Sequence, residues 1–160
     1  MPRPEVVFYV LASSSQPERQ EFACKLIEKI YRGGQFCYVL AEHEQQASEI
    51  DKLLWTFRAG SFVPHQVFKD KAPDYPNTVL IGGSDIPQAW KNIIVNLSTH
   101  FPPTAAPTER IVEILDNSED SKRAGRLRYK HYQDAGLEIV THKQEAGGWV
   151  EVRGRRDSGN

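Results

Sequence analysis

The residues best suited to chemistry follow the second predicted strand, at the position where α/β enzymes place active groups. Glu42, His43 and Glu44 form the densest polar cluster in the sequence and can serve in principle as metal ligands or as an acid–base group. The five histidines include no HExxH pattern and no Ser or Cys partner at a recognised catalytic spacing. An exposed loop that opens the second helix explains the same cluster, and we favour that interpretation.

Phosphate binding is the second chemistry to consider. The turn after the first predicted strand, residues 12–17, contains no glycine, no Lys followed by Ser or Thr, and no GxGxxG, so both phosphate-binding fingerprints are missing. Residues 82–85, Gly-Gly-Ser-Asp, follow another strand and can cradle an anion, but a plain turn accounts for them equally and we favour the turn. The sequence therefore predicts neither a phosphate-binding loop nor a cofactor.

Length, charge and cysteine content argue against a nucleic-acid-binding, membrane or zinc-binding protein. The chain has 160 residues, 26% of them charged, and a formal net charge of -1, which predicts one globular domain without an overall field that attracts nucleic acid. Its apolar stretches are too short to cross a bilayer. Cys24 and Cys37 form no CxxC pair and have no nearby His at zinc spacing. We expect a reduced, cytoplasmic protein with no metal site and no membrane contact.

The elements that must position any site alternate between strands and helices. Helix starts and stops are marked by a capping box of Ser15 with Glu18, and by glycines at 33–34, 60 and 136. The predicted strands cover residues 6–12, 35–41, 77–82, 92–98, 110–115 and 137–141, and the predicted helices cover 15–33, 44–58 and 119–135. This alternation predicts an α/β fold, a single domain with a mostly parallel sheet and helices on both faces. We place that domain at residues 1–143 and expect residues 144–160 to form a mobile extension.

A possible protein-binding surface is predicted near the end of the second helix. At 100° per residue its core stripe centres on Leu53 and Phe57, which leaves Trp55 on the polar face. Shortly after it comes an apolar segment with no clear period, residues 61–65, Ser-Phe-Val-Pro-His. Exposed aromatic patches usually bind a partner. The alternative is that Trp55 packs under a loop and Phe62 enters the core.

The last helix carries a second candidate surface. Ala124, Leu127, His131 and Ala135 share one face, and the opposite face is basic and aromatic, formed by Lys122, Arg126, Tyr129 and Gln133 with Lys130 at its flank. An Arg fork grips a carboxylate with two hydrogen bonds, and a Tyr ring offers an apolar wall, so this face suits an acidic peptide with an aromatic end. A solvated basic face and a phosphate site are the alternatives.

The order of these motifs resembles the chi subunit family of bacterial DNA polymerase III. The resemblance covers about residues 6–143 and depends on Leu53-Leu54-Trp55, on the SFVPH segment 61–65, and on the RLRYK segment 126–130. It implies a Rossmann-like domain without nucleotide chemistry, which acts as a non-catalytic accessory subunit rather than an enzyme. The chain extends past the point where familiar members end.

The resemblance also implies partners and residues. Family members pair with the psi subunit, which tethers them to the clamp loader, and they bind the acidic C-terminal tail of single-stranded DNA-binding protein, so they contact DNA only indirectly. By position, the psi-binding residues are Trp55, Phe62, Val63, Pro64 and His65. The tail-binding residues are Leu115, Lys122, Arg126, Tyr129 and Lys130. We expect Arg126 to bind the terminal carboxylate, Tyr129 and Leu115 the terminal Phe ring, and the two lysines upstream Asp residues, at the cytoplasmic, nucleoid-associated replisome.

Two other functions compete with this one. A nucleotide-dependent enzyme would bind ATP at the first strand–helix turn, and bound ATP with magnesium would raise the thermal stability of the chain. A direct DNA binder is disfavoured by the net charge of -1 and by the lack of a continuous aromatic and basic track.

Overall fold

A computed structural model describes residues 3–73 and 77–154 of the chain. It contains three α-helices and eight strands in these described parts. The helices are α1 (Gln16–Arg32), α2 (Glu44–Thr56) and α3 (Glu119–Asp134). The strands are β1 (Glu5–Val10), β2 (Tyr38–Leu40), β3 (His65–Val67), β4 (Val79–Gly82), β5 (Ile93–Asn96), β6 (Arg110–Leu115), β7 (Ile139–Glu145) and β8 (Gly148–Gly154).

All eight strands form one sheet in the order β3-β4-β2-β5-β6-β1-β7-β8. Every neighbouring pair is parallel except β7 and β8, which are antiparallel. Strand β1 lies between β6 and β7, with Phe8 opposite Glu113 on one side and Thr141 on the other. The predicted α/β fold with a mostly parallel sheet is confirmed.

The two faces of the sheet bury separate apolar clusters. Helices α1 and α2 cover one face, where Ala23 and Ile27 of α1 pack with Ile50 and Leu54 of α2. Helix α3 covers the other face over β6 and β1, where Phe8, Ile111 and Tyr132 are buried. Parallel sheets are stable when both faces are covered in this way, and the central strands accordingly read as continuous Val, Ile and Leu runs.

Local sequence explains where the helices start. The Ser15 hydroxyl accepts a hydrogen bond from the Glu18 amide at the start of α1, as the capping box predicts, with Pro17 in the first turn. His43 begins α2 by accepting from the Gln46 amide through Nδ1, and Ser118 caps α3 through the Ser121 amide. The three helices therefore begin close to the carboxyl edge of the sheet, directly after β1, β2 and β6.

Strand β8 was not predicted. The sequence placed the end of the last strand at residue 141 and a mobile segment from residue 144 onward, but β7 continues to Glu145 and pairs with β8 along its whole length. The turn between the two strands depends on Gly148, whose φ of 124° is a conformation that glycine adopts without strain. The chain reverses direction there and continues as β8. The remaining predicted tail, residues 155–160, lies outside the described residues.

Two smaller differences concern side-chain orientation and a short strand. The buried side of α3 carries Gly125, Arg128 and Tyr132, whereas Leu127, which the sequence grouped with the apolar face, is 64% exposed. Arg128 instead faces the sheet, where it binds the buried Glu113 carboxylate of β6. Segment 61–65 ends in the edge strand β3, which starts at His65.

No helix in the described ranges, 3–73 and 77–154, is both long and apolar enough to cross a membrane.

Candidate functional site

An exposed aromatic surface lies at the end of α2. Trp55 is 56% exposed and Phe62 60% exposed, and their ring centroids are 5.8 Å apart. Trp55 also contacts the ring of His65 at 4.7 Å. We call Trp55, Phe62 and Pro64 the aromatic surface. The expectation that Trp55 points away from the core stripe of α2 is confirmed, and the alternative in which Phe62 enters the core is wrong.

Val63 and His65 support this surface from below. Val63 is 1% exposed within the core cluster of α1 and α2. The His65 side chain is fully buried, and its ring nitrogens lie 2.6 Å from the Val63 carbonyl and 2.9 Å from the Asp51 carbonyl. The sequence assigned both residues to psi binding; the structure buries their side chains and leaves the exposed side chains of this region to Trp55, Phe62 and Pro64.

Glu28 of α1 anchors the loop that carries Phe62. Its carboxylate is largely buried and accepts hydrogen bonds from the Ser61 hydroxyl and from Arg32, and it pairs with Arg58 at 3.1 Å. The Ser61 hydrogen bond, followed by the two guanidinium groups, holds the pKa of Glu28 below its ordinary value even though burial alone would raise it. One carboxylate thus ties α1 to Arg58 and Ser61, which precede Phe62 in the same loop.

The basic face of α3 consists of Lys122, Arg126, Tyr129 and Lys130. Lys122 pairs with Glu119 at 3.4 Å and Lys130 pairs with Asp134 at 3.5 Å, each within the helix. Arg126 is exposed and forms no ion pair with any residue that the structure describes. An unpaired exposed guanidinium between two partly engaged lysines is the group best placed to bind an incoming carboxylate.

Tyr129 and Leu115 are the two apolar residues that the sequence assigned to tail binding. Both belong to the cluster under α3, where the Tyr129 ring lies 5.5 Å from Phe8 of β1. Leu115, at the end of β6, is 6% exposed and lies directly below Gly125. A Cβ at position 125 would collide with the Leu115 side chain, so glycine allows α3 to approach the strand closely. Leu115 therefore lies beneath the helix, where a pocket floor was expected.

A buried polar network holds α3 on the sheet. Arg128 donates from Nε and Nη2 to the Glu113 carboxylate at 2.9–3.0 Å, and both side chains are almost completely buried. Tyr132 and Asn96 also donate to Glu113 Oε2. Burial raises the pKa of Tyr132, and the charge of Glu113 raises it further, so the phenol remains a donor. The network fixes which side of α3 faces solvent.

Sequence reasoning did not identify this network. Its signal is a charged residue within an apolar run, since Glu113 is flanked by Ile111 and Val112 on one side and by Ile114 and Leu115 on the other. A buried carboxylate needs a cation or several donors, and the RLRYK segment supplies Arg128 two residues after Arg126. In a helix, two residues correspond to a rotation of about 200°, so Arg126 and Arg128 point to different sides of α3.

The cluster of Glu42, His43 and Glu44 lies beside a cavity of about 290 Å³ at the carboxyl edge of the sheet. Glu42 and His43 already make hydrogen bonds within the chain. Glu42 accepts from the Thr99 amide and hydroxyl; burial acts to raise the pKa of Glu42, but these hydrogen bonds together with the nearby His100 and His43 lower it overall. Arg19 donates to the Ile114 and Leu97 carbonyls. These contacts give Glu42 and His43 structural roles, as the favoured loop interpretation predicted.

The aromatic surface and the basic face lie on opposite faces of the sheet. α2 packs with the first cluster beside the edge strand β3, while α3 covers β6 and β1 on the other face. Strands β4, β2 and β5 separate β3 from β6. At about 4.8 Å per strand the surfaces are roughly 20 Å apart across the sheet alone. One rigid partner of ordinary size would have to wrap around the domain to contact both.

Comparison with known proteins gives a consistent result. The sequence profile of the family described as "DNA polymerase III chi subunit, HolC" matches residues 3–140. The chain is 29% identical to the DNA polymerase III subunit chi of Pseudomonas aeruginosa over 138 residues, covering 86% of this chain and 95% of that protein. It is 28% identical to the chi subunits of Haemophilus influenzae and Escherichia coli, over 84% and 76% of this chain and 93% and 83% of those proteins.

Proposed function

Because the chain belongs to the DNA polymerase III chi subunit family, and is thus an accessory subunit in DNA replication, we propose that it is a non-catalytic adaptor. It binds the psi subunit through the aromatic surface, and through psi the clamp loader. It binds the acidic C-terminal tail of single-stranded DNA-binding protein through the basic face of α3. The adaptor acts in the cytoplasm at the replisome and contacts DNA only through these partners. The observation that carries the proposal is the presence of two exposed surfaces of different chemistry on opposite faces of one sheet.

The tail-binding half of the proposal depends on Arg126. Its guanidinium can bind the terminal carboxylate in two parallel hydrogen bonds, and Tyr129 with Leu115 below it receives the terminal Phe ring. Lys122 and Lys130 exchange their intrahelical partners for the upstream Asp side chains. Such exposed ion pairs are screened, so affinity should fall as salt is added.

The psi-binding half depends on Trp55 and Phe62. Two large aromatic side chains, each more than half exposed and in mutual contact, form the type of anchor that dominates protein interfaces. Truncation of such an anchor typically costs about 2 kcal/mol or more, which is roughly 30-fold in affinity. His65, locked by two carbonyls, keeps the Trp55 ring in place.

The experiment that tests the proposal measures both affinities in the same set of variants. Fluorescence anisotropy of a labelled acidic peptide ending in Ile-Pro-Phe reports on the tail site, and calorimetric titration with psi reports on the aromatic surface. We expect Arg126→Ala to weaken peptide binding about tenfold or more and to leave psi binding unchanged. Trp55→Ala should do the reverse.

Matched controls separate these effects from general damage. Arg123→Ala removes an exposed arginine of α3 that pairs with Asp120, and Phe101→Ala removes a phenylalanine that is 51% exposed elsewhere. Arg123→Ala should lower peptide affinity far less than Arg126→Ala does, and Phe101→Ala should leave psi affinity unchanged. Peptide affinity that is absent at low salt, or equal in wild type and Arg126→Ala, would overturn the tail-binding half. Thermal stabilisation by ATP with magnesium would instead favour a nucleotide-binding protein.

A further inference from the structure

The β7–β8 hairpin carries an exposed apolar strip that the family match does not explain. Val150 is 44% exposed and Val152 is 55% exposed, both on β8. The family profile ends at residue 140, before most of this hairpin. Trp149, by contrast, points to the other face of the sheet and packs on Tyr9 and Phe22. The hairpin is therefore held in place from one side, and its two valines are displayed on the other.

Strand register places this strip beside the basic face of α3. Residues paired across neighbouring strands point to the same face of a sheet. Phe8 pairs with Thr141, which pairs with Val152, and Tyr129 packs against Phe8 on this face. Two residues further along β7, Lys143 pairs with Val10 of β1 on one side and with Val150 of β8 on the other. We call Thr141, Lys143, Val150 and Val152 the hairpin shelf.

The shelf is open because α3 does not extend over it. The helix is fixed to β6 by the Arg128–Glu113 pair, and its basic side faces across β1 toward β7. Lys143 is exposed, and among the described residues it forms no ion pair. The register thus places the Tyr129 ring and the two valines on one face of the sheet, with the cations of α3 on one side and Lys143 between them.

We propose that the hairpin shelf is a second contact surface for the acidic peptide that binds α3. It contacts the apolar side chains that precede the terminal aromatic residue, and Lys143 pairs with an acidic side chain of the same peptide. This inference rests on the proposed tail-binding function of the basic face. It adds residues that lie beyond the family match, so the extension of this chain takes part in recognition.

Distances support a single peptide spanning both parts. Two strand spacings, roughly 10 Å, separate Phe8 from Val152. An extended peptide covers about 3.3 Å per residue, so a chain whose last ring lies at Tyr129 reaches the shelf within about three residues. Glu145, at the tip of the hairpin on the same face, would repel the acidic segment. The peptide therefore runs across the shelf toward Val152 and away from the tip.

The experiment compares two labelled nine-residue acidic peptides by fluorescence anisotropy, one ending in Ile-Pro-Phe and one in Ser-Ser-Phe. The test protein carries Val150→Thr and Val152→Thr, which remove methyl contacts but keep the β-branched shape that strands favour. We expect roughly a three- to tenfold loss of affinity for the Ile-Pro-Phe peptide and little change for the Ser-Ser-Phe peptide. Arg153→Ser, on the opposite face of β8, should leave both affinities unchanged.

A second variant tests the charge and does not depend on hairpin packing. Lys143→Gln should reduce the salt dependence of peptide affinity by about one ion pair, with an unchanged thermal midpoint. The inference is overturned if the Val150→Thr/Val152→Thr protein binds both peptides like wild type. It is also overturned if sedimentation shows that wild type dimerises through the shelf and this variant is monomeric.

The same variants distinguish a failure of the hairpin shelf from a failure of the proposed tail site on α3. If Arg126→Ala abolishes binding of both peptides while the shelf variants bind normally, the basic face is the tail site and the shelf has no part in it. If the wild type binds neither peptide, both claims fail together.

Discussion

Replacement of Arg128 by methionine tests whether the buried network positions the basic face of α3. The substitution keeps an unbranched side chain in the same space but removes the only cation that contacts Glu113 among the described residues. Glu113, which is fully buried, would keep hydrogen bonds from Tyr132 and Asn96 alone. A buried carboxylate without its cation is strongly destabilised.

The magnitude follows from these contacts. Breaking a buried ion pair by removing one partner costs about 3–5 kcal/mol, and the two remaining donors place the expected loss near the lower limit, at about 3 kcal/mol. Arg128 Nη1 is buried with no hydrogen-bond partner among the described residues, so its removal returns part of a desolvation cost. A domain of this size has roughly 5–15 kcal/mol of stability, so the variant should remain folded at low temperature.

Urea denaturation measures the loss, and the peptide and psi titrations report where it acts. We expect Arg128→Met to weaken peptide binding and to leave psi binding intact, because only α3 depends on the network. The double variant Arg128→Met/Glu113→Gln removes both charges and keeps an acceptor for Tyr132. It should recover at least about 1 kcal/mol relative to the single variant. A double variant no more stable than Arg128→Met, or a single loss under about 1 kcal/mol, would refute the reasoning.

Three further predictions concern parts of the structure that support the two surfaces. Gly125→Ala should lower stability by about 1 kcal/mol in urea denaturation despite its better helix propensity, because the new methyl meets the packed Leu115 side chain; equal or higher stability would show that Leu115 moves freely. Stabilisation by the Glu28 carboxylate is fully present above its ordinary pKa of 4.5 and is lost as the pH falls through its lowered value. Thermal unfolding of Glu28→Gln should therefore depend less on pH in the acid range, and identical profiles would contradict this. Trp149→Ala should free the hairpin from Phe22 and increase amide exchange in β8, whereas unchanged protection would show that strand pairing alone holds it.

The sequence predicted the architecture because most elements follow local rules. The Ser15 cap, the glycine after α1 and the Val and Ile runs of the central strands each have one dominant local cause. It predicted the exposure of Trp55 for the same reason, since helical periodicity separates that residue from its core stripe. These features need no knowledge of distant contacts.

The parts that were missed depend on contacts between residues far apart in the chain. Arg128 is buried because Glu113 lies 15 positions earlier on a different element, and periodicity alone assigned that side of α3 to Leu127. Strand β8 was missed because its sequence is polar and rich in glycine. It pairs because β7 offers an open edge and Trp149 finds aromatic neighbours on α1 and β1.

The proposed recognition lies away from the carboxyl edge of this sheet. Parallel α/β sheets usually bind ligands at that edge, where strand ends and helix N-termini leave backbone groups free. Here Arg19 donates hydrogen bonds to the carbonyl oxygens at the ends of β5 and β6. The side chains of His43 and Ser118 cap the N-termini of α2 and α3. The edge is thus satisfied internally, which stabilises the fold without a ligand. Exposed groups elsewhere in the described chain, among them the Arg126 guanidinium on α3 and the Trp55 and Phe62 rings at the end of α2, lie where a peptide or a protein can reach them.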